Sequence, residues 1–495
     1  MIELDKILEK CGDRHRLQTI MLLLFCVINL LSAMHYYSQT IISFVPKYWC
    51  AEDVIPNAMH APSLPTQSSC ISIHNDSSQS CRKFHYEYYM GYESLTSELN
   101  WICDDAWKLT LGQSMFFVGS VVGSLTFGIL ADMVVMEYLR PSLRTIGLSI
   151  CIGFFYCLGS IAAPWIAVLM QSWRGFLMAT SVPFVMVPLF YFIVPESVQW
   201  LISKQKYSQA VECLKRVAKI NGKVVDDAVF GEFIEECKRS QMQQPKGKVE
   251  PNLLGLFSTP RLRRNTLILF FKSMVITLCY DAVSRNVQGL GISPFVMFSL
   301  SATTILPACL LLIALQDRIG RKAMASMSLL LSGIFISSTG ALLFQSVETA
   351  GDQNVTLVVI LSVIGRFGVT VAYNSGAQYA TELIPTCVRG QGVAAVHVMG
   401  YAFTFFSSYI LHTRQFFSPL PEIILGSISL VGAGLCLLLP ETLNRTLPTT
   451  LKDGENFGKN DRWFIFSFME KRTQSVDTLA PSVSSSNHPD TSAYF

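Results

Sequence analysis

A small set of polar side chains interrupts otherwise apolar stretches of this 495-residue chain, and chemistry has to be sought there first. SAMHYYSQT holds His35, Tyr36 and Tyr37; FFKSMVITLCYDAV holds Lys272, Tyr280 and Asp281; LSVIGRFGVTVAYNSGAQYATEL holds Arg366, Tyr373, Asn374 and Gln378. In hydrocarbon such groups are costly, so each either meets a ligand or hydrogen-bonds a neighbouring helix. Asn374 and Gln378 are four apart and share a helix face. Lys272 either lends charge to a site or snorkels from the end of its helix to the interface. No phosphate-binding glycine loop, metal-spaced His and Cys cluster, or nucleophile beside a base occurs, so an enzyme, a metal site and a cofactor are not expected. A net charge of +3 implies no nucleic-acid partner.

The elements that must position these residues follow from composition. Half of the chain is hydrophobic, 15% is charged and the mean hydropathy is positive, which is too apolar for a soluble domain. A bilayer needs roughly 20 apolar residues per spanning helix. Ten runs of about that length occur, near 18–41, 109–131, 143–168, 175–195, 265–283, 293–315, 323–345, 357–379, 390–412 and 420–440. The expected fold is therefore an all-α polytopic membrane protein embedded in a lipid bilayer. The first run is too long for a signal-peptide core and lacks a small-residue cleavage site, so it is expected to remain as a span.

Between the first two runs lies a polar loop, 43–107, with Cys50, Cys70, Cys81 and Cys103 and the acceptor triplet at Asn75. Four cysteines beside a glycosylation triplet point to an extracellular loop with two disulfides, whose three possible pairings the sequence leaves open. Four free thiols on the cytosolic side is the alternative. Segment 196–264 carries thirteen Lys and Arg against three in the cysteine loop, which places it in the cytosol by the positive-inside rule. Counting spans then puts both termini inside and a second triplet, at Asn354, outside. The chain divides into a cytosolic N-terminus 1–17, a first helical half 18–195, a cytosolic linker 196–264, a second half 265–440 of six helices and a polar, largely disordered cytosolic tail 441–495.

Four strings mark helix ends on the expected cytosolic face: PESVQWL at 195–201, QDRIGRK at 316–322, YATELIPTCVRGQG at 379–392 and PETLNRTLP at 440–448. With SELNWICDDAW at 97–107 and the large cysteine loop, they resemble the major facilitator superfamily, specifically its organic cation, carnitine and organic anion transporter family. RGQGVAAVHVMGY is most similar to invertebrate carcinine, β-alanine and organic cation carriers. The resemblance implies signature or gating roles for Asp132, Asp317, Arg318, Gly320, Arg321, Glu382 and Arg389, with Glu382 and Arg389 as a structural charge pair. It also implies twelve helices, where ten runs are found. After GILAD, which ends at Asp132, the chain passes directly to EYLRPSLRT at 137–145, which resembles the family's loop between helices four and five. Family helices three and four are expected to be missing.

The resemblance further implies that Tyr36, Tyr280, Tyr373 and Tyr401 line a substrate cavity, with Gln378 on the same helix as Tyr373. Family members bind substrate near the bilayer midplane between two halves that rock. At the position of Tyr401 the family tends to carry an acid in cation carriers and a base in anion carriers; here it is neutral. With Lys272, Asp281 and Arg366 offering both signs, the expected substrate is a small organic cation or a zwitterionic amine, carnitine-, carcinine- or β-alanine-like, carried by alternating access across the plasma membrane. The alternatives are a transport-inactive shortened form and an organic anion transporter.

Overall fold

The computed structural model describes residues 2–12, 16–50, 70–74, 77–81, 83–126, 151–189, 196, 198–203, 205–242, 253–349, 354–443, 445 and 447–459. The chain opens with α1 (Ile2–Cys11) and α2 (Arg16–Ile42), the latter a 27-residue helix with no internal glycine or proline to bend it. Two antiparallel strand pairs follow. β1 (Lys47–Cys50) pairs with β4 (Phe84–Glu87), and β2 (Ile71–His74) with β3 (Ser77–Ser80). Disulfides Cys50–Cys81 and Cys70–Cys103 fasten these strands to one another and to the lead-in of the next long helix. That selects one of the three pairings.

A turn, α3 (Leu95–Glu98), leads to α4 (Ala106–Thr126). After a π-helical stretch, Cys151–Tyr156, come α5 (Cys157–Met170) and α6 (Trp173–Ser181), which tightens into a 3₁₀ segment, Val182–Leu189, where Pro183 and Pro188 withhold backbone donors. The linker forms α7 (Val198–Ser203), α8 (Tyr207–Ile220) and α9 (Asp227–Met242). The second half comprises α10 (Pro260–Arg285), α11 (Pro294–Thr303), α12 (Ile305–Ile319), α13 (Arg321–Thr349), α14 (Val355–Leu383), α15 (Arg389–Thr404), α16 (Ser407–His412) and α17 (Leu420–Leu437).

Among the described residues eight helical segments are long and apolar enough to cross a membrane. They correspond to every expected run except the second and fourth. Those two begin as α4 and α6, and their remainders, 127–131 and 190–195, lie outside the described residues, as do Asp132, the short junction and Asn75. The tail departs from expectation at its start. Residues 447–459 are ordered, and α18 (Leu451–Asn456) carries a capping box between Thr450 and Asp453. Its Glu455 then accepts from the free N–H groups of Arg261 and Leu262 at the start of α10, at 3.3 and 2.8 Å.

Packing is asymmetric along the bundle. At the disulfide end a single core draws on both halves: Met34, Tyr37, Ile41 and Phe44 of α2 and its exit, Phe176 of α6, then Phe295, Phe298, Leu343 and Val358 of the second half. At the linker end the cores are separate. One joins α1, α2 and the linker helices, the other α10, α14, α15 and α18. Asn221 tightens the first, because its side chain accepts from Leu17 N–H at 3.0 Å and donates to Gly12 O at 2.7 Å. Among the described residues the halves thus share one large core at the disulfide end, whereas their cores at the linker end stay separate. Within the second half α13 and α17 approach closely: a Cβ on Gly426 would strike Ser337, the small-residue contact that lets membrane helices pack without a hydrophobic drive.

Candidate functional site

Where α2 meets α10 and α14, below the shared core, polar groups from the two halves converge. The Tyr36 hydroxyl donates to Asp281 Oδ1 at 2.9 Å, across 245 residues of sequence. Tyr37 and Tyr280 approach through their hydroxyls at 3.5 Å. The Tyr280 ring stacks on Tyr373 at 4.3 Å between centroids, and Tyr373 hydrogen-bonds Tyr401. Tyr36 lies within electrostatic reach of Tyr373 and Tyr401, so four of the five expected ligand-lining residues come together. Tyr156 of the π-helical stretch and Phe298 of α11 close the aromatic wall around Tyr37.

Gln378 does not join them. Its amide accepts from Gln316 at 2.9 Å and donates to Glu382 at 3.0 Å, which places it in the charge cluster at the linker end. α14 explains this: Tyr373 and Gln378 are five residues apart, more than a full turn along the axis and on different sides.

Asp281 is buried and fully engaged. Its Oδ2 accepts from Arg285 Nε at 2.8 Å and Nη2 at 2.6 Å, and from Ser407 Oγ at 2.7 Å. Arg285 also donates to Gln113 of α4, at 3.1 Å, and to Ser408, so the pair joins α10, α4 and α16. Sequence reasoning singled out Asp281 and missed Arg285, although a carboxylate and a guanidinium four apart on a helix was a readable signal.

Two further cations lie deep in α10 and α14. Lys272 is fully buried, not snorkelling as one reading of the sequence had it: Nζ donates to Gly376 O at 3.0 Å and stands 5.3 Å from the Tyr379 ring. The close passage of α14 covers it before it can reach an interface. Arg366 is 2% exposed, donates to Tyr280 O at 2.9 Å and to the Tyr37 hydroxyl at 3.2 Å, and sits 4.2 Å from the Tyr280 ring. Among the described residues neither cation has a carboxylate partner. A cation–π contact returns about 2 kcal/mol when desolvated, whereas burying an ion costs several kcal/mol. Among the described residues the polar core around Asp281 therefore carries more fixed positive than negative charge.

The signature residues form a separate cluster at the linker end. Arg321 bridges Asp317 at 2.9 Å and Glu382 at 3.0 Å, and its N–H donates to Glu441 at 3.0 Å. Gly320, at φ +102°, makes the turn possible, and Arg318 is exposed. Glu382 also accepts from Thr442 Oγ1 at 2.5 Å. Glu382 and Arg389, the expected charge pair, attract each other through space but make no direct ion-pair contact: Arg389 donates instead to Ile384 O at 3.3 Å and Thr386 Oγ1 at 3.0 Å, because Arg321 and Thr442 already occupy the carboxylate. Among the described residues no His, Cys, Asp and Glu grouping could hold a metal.

Residues 142–450, more than half of the chain, match the family described as "Sugar (and other) transporter". The chain belongs to this major facilitator family. It is a membrane transporter by family, not an enzyme. The organic cation transporter protein of Drosophila melanogaster is 29% identical over 343 residues, 68% of this chain and 61% of the relative, so the chain spans under two thirds of that protein. The organic cation transporter-like protein of the same fly is 24% identical, covering 93% of this chain and 94% of the relative. That alignment runs over 543 positions, more than the chain contains, so the relative holds residues with no counterpart here. Human organic cation/carnitine transporter 2 is 27% identical over 74% of this chain and 72% of its own. A solved structure of the E. coli xylose transporter, in an inward open conformation, covers 64% of this chain and 66% of its own at 18% identity and a TM-score of 0.43.

Proposed function

We propose that this transporter carries small organic amines of zwitterionic or weakly charged type, carnitine-, carcinine- or β-alanine-like, by exposing one site alternately to the two sides of the plasma membrane. The contact that carries the reading is Tyr36 on Asp281, a hydrogen bond between the two halves inside a wall of tyrosines. Aromatic faces attract an ammonium group, and the charged pair behind them offers both signs. The names of the relatives, organic cation and organic cation/carnitine transporters, support the amine part. The shared core at the disulfide end, with separate cores at the linker end among the described residues, fits a carrier closed on the disulfide side. Both termini are assigned to the cytosol, with Asn75 and the exposed Asn354 as glycosylation sites on the outer side. Uptake of labelled amines by cells expressing the chain tests the reading, with Tyr36→Phe expected to reduce it several-fold. Unchanged uptake by that variant would place the substrate elsewhere.

A second reading has an observation of its own. DMVVMEYLRPSLRT, residues 132–145, leaves no room for two helices, the family match begins within it at residue 142, and the relative's longer alignment agrees. A first half of four helices leaves its cavity wall incomplete, which points to a shortened form that retains the site and does not complete the cycle. Insertion of two helices after Asp132 then restores uptake that the 495-residue chain lacks. Robust uptake by the uninserted chain sinks this reading and leaves the first.

A further inference from the structure

The buried arginines of the second half differ in one respect. Arg285 is paired with Asp281, and the half-buried Arg414 with Glu422. Arg366, buried as deeply as Arg285, meets among the described residues only neutral acceptors, the Tyr280 carbonyl and the Tyr37 hydroxyl, and its Nε finds no acceptor among them. The arrangement on the guanidinium is informative. Nη1 is committed to backbone of its own half, while Nε and Nη2 form the edge that is unfilled on one side and filled by a hydroxyl of the other half on the second. That edge is the one with which a guanidinium grips a carboxylate through two parallel hydrogen bonds.

We propose that Arg366 is the carboxylate subsite of this transporter, so that its substrate is an amine that also bears a carboxylate. This deepens the amine-carrier reading above and rests on it. Tyr37 and Tyr36 sit on α2, whereas Arg366 and Asp281 sit on α14 and α10, so parting of the halves at the disulfide end withdraws both hydroxyls together. The Nε and Nη2 edge is then free for the carboxylate and Asp281 Oδ1 for the ammonium group, with Arg285 remaining on Oδ2. When the halves close again, Tyr37 competes with the carboxylate for Nη2, which favours release toward the linker end. A permanent cation lacking a carboxylate leaves Arg366 uncompensated and meets a site with surplus positive charge.

The test is equilibrium binding to the purified full-length chain in lipid nanodiscs, using four probes: 4-(trimethylammonio)butanoate, its methyl ester, butyltrimethylammonium and butanoate. The zwitterion is expected to bind at least about tenfold more tightly than the ester or the plain cation, the size of one charge-assisted bidentate contact. Arg366→Gln is expected to erase that preference and Arg366→Lys to retain part of it. Equal binding of zwitterion and ester by the unmodified chain overturns the subsite, and needs no variant to fold. A preference that survives in Arg366→Gln overturns it as well. Butanoate binding as tightly as the zwitterion supports the subsite and removes the amine from the reading. If none of the four binds, the carrier reading falls and the subsite with it.

Discussion

Asp281→Asn is the most informative single change, because it removes a charge and almost nothing else. The new amide is isosteric: its oxygen can still accept from Arg285 and Ser407, and its nitrogen can donate to the Tyr36 hydroxyl, which accepts as readily as it donates. What is lost is the counter-charge of Arg285, a side chain with 1% exposure. Removing one partner of a buried ion pair costs about 3–5 kcal/mol, mostly as the penalty of the charge left behind. The preserved hydrogen bonds put this variant near the lower end, about 3 kcal/mol. At about 2–4 °C per kcal/mol for a chain of a few hundred residues, the thermal midpoint should fall by about 6–12 °C. Arg285→Gln removes the stranded charge, so the double variant should recover most of the loss, a coupling that two independent sites would not show. The assay is heating of a detergent-solubilised fluorescent fusion followed by size-exclusion recovery. Additive losses in the double variant, or a wild-type midpoint for Asp281→Asn alone, would refute the argument that the pair is held by mutual charge.

Further outcomes follow from other parts of the molecule. Cys50→Ser and Cys81→Ser should reduce surface delivery equally and no further when combined, whereas Cys50→Ser with Cys70→Ser should be worse than either, since each bridge restricts the unfolded loop by about 2–4 kcal/mol; equality of all double variants would refute the pairing. Gly320→Ala should be strongly destabilising, because φ of +102° disfavours a side chain and the new Cβ would strike Glu441, so normal expression and transport would count against the cluster as described. At the disulfide end, hydrogen bonds from Arg174 and from Trp173, the latter at 2.7 Å, hold Glu98 below the usual carboxylate range. Its contribution is therefore present above the unfolded value near 4.5 and is lost as pH falls through the lower folded value. Hydrogen exchange of the α3 and α6 amides should accelerate in that acid window, and Glu98→Gln should abolish the step.

Much of the architecture was legible in the chain because hydropathy is a property of one segment at a time. A run of twenty apolar residues has one solution in a bilayer, whatever its neighbours do. That suffices for the helical class, for the positions of the spans and for the polar loop with its four cysteines. The signature strings at 316–322, 379–392 and 440–448 were legible for a related reason, since turns and helix ends depend on local residue types such as Gly320.

Partnership is a property of two segments, and it depends on rotation and crossing angle that no single helix encodes. Tertiary structure therefore decided that Cys50 bonds Cys81, that Tyr36 reaches Asp281, and that Glu382 takes Arg321 and not Arg389. It moved Gln378 out of the tyrosine cluster, more than a full turn along α14 from Tyr373 and on another side, and it buried Lys272 under a helix more than a hundred residues away. Arg366 shows the division most clearly. Its sequence position told that a charge lies in an apolar helix. Only the packing of α2 and α10 around it decided that the charge would be left, among the described residues, without an acid to balance it.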